Sequence, residues 1–388
     1  MNDPIYVPVL KGKAGEFHAL KMLSADVVSG IVPFIDIPNV DLKYSEEHPD
    51  GIPKSSLEMH LQRTCDKLIS SWGSEIYYDL FDFGFNERLE DGSHPLKFVD
   101  AYFDKRGIHA FPTIGFDRDE FYISEFKKII QRNRQKACLR LFELDMRNYQ
   151  QSRKWFEDLL RRLVSGKNHI GFDVMLDFRS INLSDIISYT HLAIGTINKM
   201  LRLGLTNTFI VVASSFPETL GKVKCDSVFK ISRHEVKLWE GLFEYFKNEN
   251  INLFFGDYGI VHPNFLNFNP RKMSPSGKIR YATSGEWLVF KGHSLKKGYG
   301  QYHNLAKQVF DNEEFDSADY SWGDGRIAKC AQGSGSTGNL QSWVSIDTNR
   351  HITLTKNQII NSFSKTISPV QIPLLLKTKS NEEINPKD

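Results

Sequence analysis

The sequence predicts an α/β protein: a (β/α)8 barrel-like domain over residues 1–262, a C-terminal α+β cap over 263–376 and a disordered tail over 377–388. Three observations predict it. Eight short apolar runs recur through the first two thirds of the chain, helical stripes lie between several of them, and the composition breaks after His262-Pro263. Runs that are apolar on consecutive residues read as strands buried on both faces, as in a parallel sheet covered by helices. About 250 residues is also the size of a closed eight-stranded barrel. An open, doubly wound parallel sheet is the alternative.

In chain order the runs are Tyr6 to Leu10, Ile31 to Ile35, Ile76 to Leu80, His109 to Ile114, Cys138 to Phe142, Phe172 to Leu176, Phe209 to Ala213 and Leu253 to Phe255. Between the fifth and sixth, Arg153 to Val164 reads as a helix: Trp155, Phe156, Leu159, Leu160 and Leu163 share a face, and Glu157 can pair with Arg161. Val236, Trp239, Leu242, Phe243 and Phe246 form a second stripe. A ninth run, Val228 to Ile231, exceeds the barrel count and reads as an excursion outside it, or as a further strand of the open-sheet alternative. Asn264 to Pro275, rich in Asn and Pro, reads as a connector. Beyond it Ile279 to Ala282 and Trp287 to Phe290 read as strands, and helical patterns resume at Tyr302 to Phe310 and from Asn339. The stretch from Lys377 is polar and charged, with too little apolar surface to fold.

An apolar content of 40% excludes disorder of the whole chain, and 49 Lys plus Arg against 47 Asp plus Glu leaves +2, too weak a field to hold nucleic acid by charge alone. Cys65, Cys138, Cys225 and Cys330 are scattered, with no CxxC pair, which fits a reducing cytosol better than a disulfide scaffold. The opening Met1-Asn2-Asp3-Pro4 has no basic leader region, and no run approaches the ~18 apolar residues of a membrane span. A cytoplasmic protein without membrane contact is expected.

Acidic residues stand at the C-terminal ends of many predicted strands: Asp36, Asp79, Asp82, Asp117, Glu143, Asp177 and Asp257. A barrel converges these ends on the face where catalytic groups sit. Arg118, Asp119, Arg140, Arg179, Arg233 and His234 fall at the same strand ends or nearby loops. Such a cluster can perform acid–base chemistry or hold a divalent metal. It can equally cap helices and form ion pairs, or recognise a ligand or partner. Gly333, Gly335 and Gly338 fit GxGxxG but lack the preceding strand that dinucleotide binding requires. No Walker loop, HExxH helix or GxSxG elbow is present, and Ser214-Ser215 after a strand reads as a turn or cap before a nucleophile. No cofactor and no dedicated metal site is expected.

In the last third, Arg271, Lys272, Lys278, Arg280, Lys291, Lys296 and Lys297 stand against Glu286 alone, interleaved with Tyr281, Trp287, Phe290 and Tyr299. This stretch reads as a solvated face, an acidic-protein docking surface or, less favoured, a single-stranded nucleic-acid site. As partner contacts it nominates Arg280, Tyr281, Trp287 and Lys291.

Seven segments carry a whole-chain resemblance: Tyr6-Val-Pro-Val-Leu-Lys11, Ile31-Val-Pro-Phe-Ile-Asp36-Ile-Pro38, Ser214-Ser-Phe-Pro-Glu218, Gly256-Asp-Tyr258, Ile279-Arg-Tyr281 with Trp287, Ser321-Trp-Gly-Asp324 and Thr348-Asn-Arg-His-Ile352. In this order they resemble the Beta protein family, over about residues 5 to 360. The resemblance implies an antitoxin role. In the satellite-phage operon that names the family, the Gop product kills the bacterial host, Beta prevents the killing, and the cassette is associated with exclusion of other phages. The implied partner is a Gop-like toxin from the same operon. The family brings no catalytic residue set, so a barrel enzyme of hydrolase or phosphoesterase type, using the acidic strand-end face, remains the alternative.

Overall fold

All eight runs of the barrel expectation become strands of one closed parallel barrel. The computed structural model describes residues 5–45, 47–48, 51–133, 136–148, 171–204, 206–264 and 275–364. The chain begins with β1 (Tyr6–Leu10), α1 (Ala14–Lys21), α2 (Ala25–Val28) and β2 (Phe34–Asp36), then a short hairpin, β3 (Leu42–Lys43) and β4 (Ile52–Pro53), and α3 (Leu57–Ser71). It continues through β5 (Ile76–Asp79), α4 (Pro95–Asp104), β6 (Ala110–Ile114), α5 (Glu120–Asn133), β7 (Ala137–Phe142), α6 (Glu143–Arg147), β8 (Phe172–Ser180) and α7 (Ile186–Arg202). The barrel ends with β9 (Thr208–Ser214), an outlying β10 (Ser227–Ser232), α8 (His234–Phe246) and β11 (Asn252–Asp257). Its order is β1-β2-β5-β6-β7-β8-β9-β11, and β11 returns to β1 with Tyr6 opposite Phe255 and Pro8 opposite Asp257. That closure rules out the open sheet.

Local chemistry accounts for the helices. Ser56 caps α3 by accepting from the Met59 amide, and Leu61, Cys65 and Leu68 make its buried stripe. α4 starts with Pro95 at its first turn, where a missing N–H costs nothing. The second expected stripe is α8, whose Trp239 is fully buried and donates Nε1–H to the Leu253 carbonyl. The second strand starts later than its run: Ile31 makes one isolated bridge to Tyr6. The expected helix at Arg153 to Val164 lies outside the described residues, as do Arg271, Lys272, most of the Asn264 to Pro275 connector and the tail from Lys377.

The ninth run is the excursion. β10 leaves the barrel and pairs antiparallel with β13 (Glu286–Ser294), Val228 opposite Phe290, in a three-stranded sheet completed by β12 (Ser276–Ala282). Over this sheet pack α9 (Gln301–Phe310), α10 (Trp322–Ala331) and α11 (Leu340–Ser364), with Tyr302 stacked on Trp343 at 4.5 Å. α11 also clasps the barrel: Ser345 Oγ donates to the Gly15 carbonyl and Asn349 Nδ2 to the Ala19 carbonyl. The segment Thr348 to Ile352, which the sequence singles out, is the wholly buried centre of this clasp. No helix among the described residues is long and apolar enough to cross a membrane.

Candidate functional site

Strand parity decides what stands at the mouth of the barrel. Successive side chains of a strand point to opposite faces. Val7, Phe34, Tyr77, Cys138 and Met175 fill the interior. Lys11, Asp36, Asp79, Arg140 and Asp177 lie an even number of residues further on, so they stand above this layer at the C-terminal end.

Arg140 is the centre, with no solvent exposure. Its Nη1 donates to Asp36 Oδ1 at 2.7 Å and Asp79 Oδ2 at 2.9 Å. Nε donates to Asp177 Oδ2 at 2.9 Å, while Nη2 lies 2.8 Å from the same oxygen and donates to the Tyr258 hydroxyl at 2.9 Å. All three nitrogens of the guanidinium are thus engaged, through four hydrogen bonds and one further ion-pair contact. Each carboxylate has a further donor: Lys11 Nζ on Asp36 at 2.6 Å, Arg118 Nη2 on both oxygens of Asp79 at 2.7 and 2.8 Å, and the Tyr258 hydroxyl on Asp177 at 2.5 Å. Three cations therefore balance three carboxylates. Phe81 and Phe142, 5.3 Å apart, present their rings to Arg140 and Arg179, and Arg118 also lies over Phe81.

Burial alone raises a carboxyl pKa, but at Asp36 the charges of Arg140 and Lys11 outweigh it and hold the group well below the usual range. At Asp79 burial wins over Arg118 and Arg140, helped by the charges of Asp36 and Asp117, and the pKa is raised. Beside this network opens a cleft of about 660 Å³, lined by Lys11, Lys13, Asn39, Ser55, Asp82 and Glu87 among others. Among the described residues no group of three or more His, Cys, Asp or Glu side chains is placed to hold a metal ion.

The structure brings Asp36, Asp79, Arg118, Arg140 and Asp177 together, with Asp117 held to Arg118 at 2.7 Å and Arg179 on the rim, its Nη2 on Asn264 Oδ1. Asp119 caps α5, accepting from the Phe121 and Tyr122 amides. Glu143 faces outward, bound by Arg147 and the Tyr189 hydroxyl. Asp257, Arg233 and His234 do not join the mouth, which corrects the expectation of one shared face. Phe255 and Asp257 have the outward parity of β11. Asp257 Oδ2 lies 2.7 Å from His351 Nε2 of α11, and Oδ1 accepts from Tyr6. Burial raises Asp257, but His351, Arg233 and Tyr6 hold it below its usual range, while burial lowers the pKa of His351. Arg233 is buried against α11, donating to Thr355 Oγ1 and Gln358 Oε1. Ser215 accepts from the His234 amide and donates to Glu235 at 2.6 Å, so it organises a turn. Gly333 to Gly338 follows the helix α10, not a strand.

The nominated partner contacts are also corrected: all four are buried inside the protein. Arg280 Nε donates to Asp347 at 2.8 Å, and Tyr281 donates to Asp324 beneath the Arg350 guanidinium. Trp287 stacks on His351 at 4.4 Å, and Lys291 Nζ donates to the Leu220 and Val223 carbonyls. Their charge and aromaticity are spent mainly inside the C-terminal unit, on α10 and α11, while Lys291 and the Trp287–Phe216 contact reach the segment between β9 and β10. Lys11 and Tyr258 were missed as site residues. Parity was the available signal, because a residue one step beyond Asp257 must point inward.

A closed parallel barrel with a charge-saturated mouth, clasped from outside by a C-terminal α+β unit, is the class of protein that the fold and site define. The family model described as Beta protein matches residues 6–355, and the chain belongs to that family. A search for curated relatives finds no match. Among solved structures, the chain is similar to Streptococcus suis SuiB bound to S-adenosylmethionine, at 11% identity and a TM-score of 0.32, covering 66% of this chain and 48% of SuiB. It is also similar to the alanine racemase of Clostridium difficile 630 in complex with cycloserine, at 10% identity and a TM-score of 0.34, covering 72% and 59%. The chain thus spans about half the length of SuiB, and likenesses this distant carry no argument about function.

Proposed function

We propose that this chain is the antitoxin, or immunity protein, of a phage-encoded toxin–antitoxin or anti-phage defence cassette, and that it prevents host killing by binding a Gop-like toxin directly in the cytoplasm. Membership of the Beta protein family supports the role, and Arg140 supports binding over catalysis. A guanidinium whose three nitrogens are all engaged, facing carboxylates that each have a further donor, leaves the centre of the mouth without a free base or acid. A second reading, a barrel hydrolase or phosphoesterase, is favoured by one observation. Asp82 lines the cleft beside Lys11, and desolvation, helped by the Asp36 charge, outweighs Lys11 and raises its pKa above the usual carboxylate value, as functional carboxyls often show.

The test is growth of cells expressing the neighbouring gene with and without this chain, together with co-purification of the two products at moderate salt. Rescue accompanied by a stable complex is expected. Rescue without a complex, abolished by Asp82→Asn at unchanged thermal stability, selects the enzyme. A neighbouring gene that is harmless removes the antitoxin role.

A further inference from the structure

Isolated apolar side chains on a surface need no explanation, but a group of them on one edge does. Among the described residues, eleven large apolar side chains are exposed, and five of them, Phe85, Phe121, Leu144, Leu183 and Ile187, lie between 63% and 73% exposed. All five follow the C-terminal ends of β5, β6, β7 and β8, four strands that are consecutive neighbours in the barrel. They therefore form one arc on the rim of the mouth. The arc is held in shape. Arg88 stands over the Phe121 ring at 4.7 Å, Phe81 touches Phe142, and the Tyr189 hydroxyl ties α7 to Glu143 of α6. Phe121, Leu144 and Ile187 sit in the first turns of α5, α6 and α7, so their presentation costs little ordering on binding.

The charge around the arc is acidic in excess, with Arg88 and Arg179 as the cations that, among the described residues, no carboxylate holds. Residues 80–94 carry Asp82, Glu87, Glu90 and Asp91 against Arg88, and residues 115–121 carry Asp117, Asp119 and Glu120 against Arg118. Arg118 is already committed to Asp79 and Asp117, and Arg147 to Glu143. An apolar arc in an acidic surround repels nucleic acid and complements a segment that carries both apolar side chains and Lys or Arg.

We propose that this rim arc is the docking surface for the toxin, and that it receives a basic segment through its apolar side chains. The proposal rests on the antitoxin reading and names its contact surface. The experiment uses the full chain co-expressed with the neighbouring gene product, and compares wild type with Phe121→Glu, Ile187→Glu and Glu120→Lys. Tyr245→Glu, at an exposed apolar position on α8 away from the arc, is the control.

With melting unchanged, the two apolar-to-Glu variants should weaken the complex about thirty-fold or more, the loss expected of an interface anchor, and lose rescue. Glu120→Lys should weaken it less and reduce its sensitivity to salt. The control should match wild type. Rim variants that bind like wild type overturn the docking surface and leave the antitoxin reading standing, as does an equal loss in the control. Self-association of the purified chain that the rim variants abolish makes a second copy the occupant and overturns the proposal. Absence of rescue by wild type defeats the antitoxin reading itself, and with it this surface.

Discussion

Replacing Arg140 by Met removes the one group that touches Asp36, Asp79 and Asp177 at once, and leaves three buried carboxylates facing two cations. Removing one partner of a buried ion pair costs about 3 to 5 kcal/mol, because the remaining charge stays buried. Here each carboxylate keeps at least one donor, from Lys11, Arg118, or Tyr258 and the Arg179 amide, so the lower end of that range is expected at pH 7. The pH dependence is the more specific signature. In wild type Asp36 has a depressed pKa, so its stabilisation is complete above about pH 4 and is lost only as pH falls through the folded value. In Arg140→Met burial is opposed by less positive charge, and the carboxyls rise. The folded variant then binds protons that the unfolded chain does not, and its stability increases as pH falls from 7 toward 5, by up to about 1.4 kcal/mol per unit for each raised carboxyl. The deficit relative to wild type should be largest at pH 7 to 8 and narrow at pH 5. Urea unfolding at a series of pH values measures it. Arg140→Lys should fall between the two, since an ammonium keeps the charge but loses the fork. A deficit under about 1 kcal/mol at pH 7, or one that does not change between pH 5 and 8, refutes the reasoning.

Two further outcomes test the packing around the site. A Cβ at Gly256 meets Val212 Cγ2 at 2.7 Å and the Val7 carbonyl at 3.0 Å, so Gly256→Ala should destabilise the barrel by about 1 to 3 kcal/mol in chemical denaturation. Trp287→Ala removes a buried ring that stacks on His351 and contacts Phe216, and should cost about 3 to 5 kcal/mol of stability. Lost toxin affinity at an unchanged melting temperature would instead make Trp287 a surface anchor.

The barrel was legible in the sequence because strands buried on both faces leave runs of consecutive apolar residues, and eight such runs built it, although a ninth, Val228 to Ile231, became an exposed strand outside it. The acidic residues at their ends were legible for the same reason. Which of them share a site was not, because that depends on parity and on neighbours far away in sequence. One step separates Tyr258, which enters the mouth, from Asp257, which turns outward to His351 on a helix 94 residues later. The basic and aromatic stretch misled for a related reason. Charge and aromaticity suit a binding face and a polar internal seam equally well, and only the position of α11 makes it the seam. The exposed arc on the rim has no linear pattern either, since its five residues are scattered over about 100 positions and become neighbours only when β5 to β8 lie side by side. The sequence by itself determined the periodicity, and hence most elements and a parallel α/β sheet, because burial acts residue by residue along the chain, whereas closure into a barrel came with the pairing of β11 to β1. The tertiary structure alone decided which charges neutralise one another and which apolar groups are left to solvent, because those depend on distances through space.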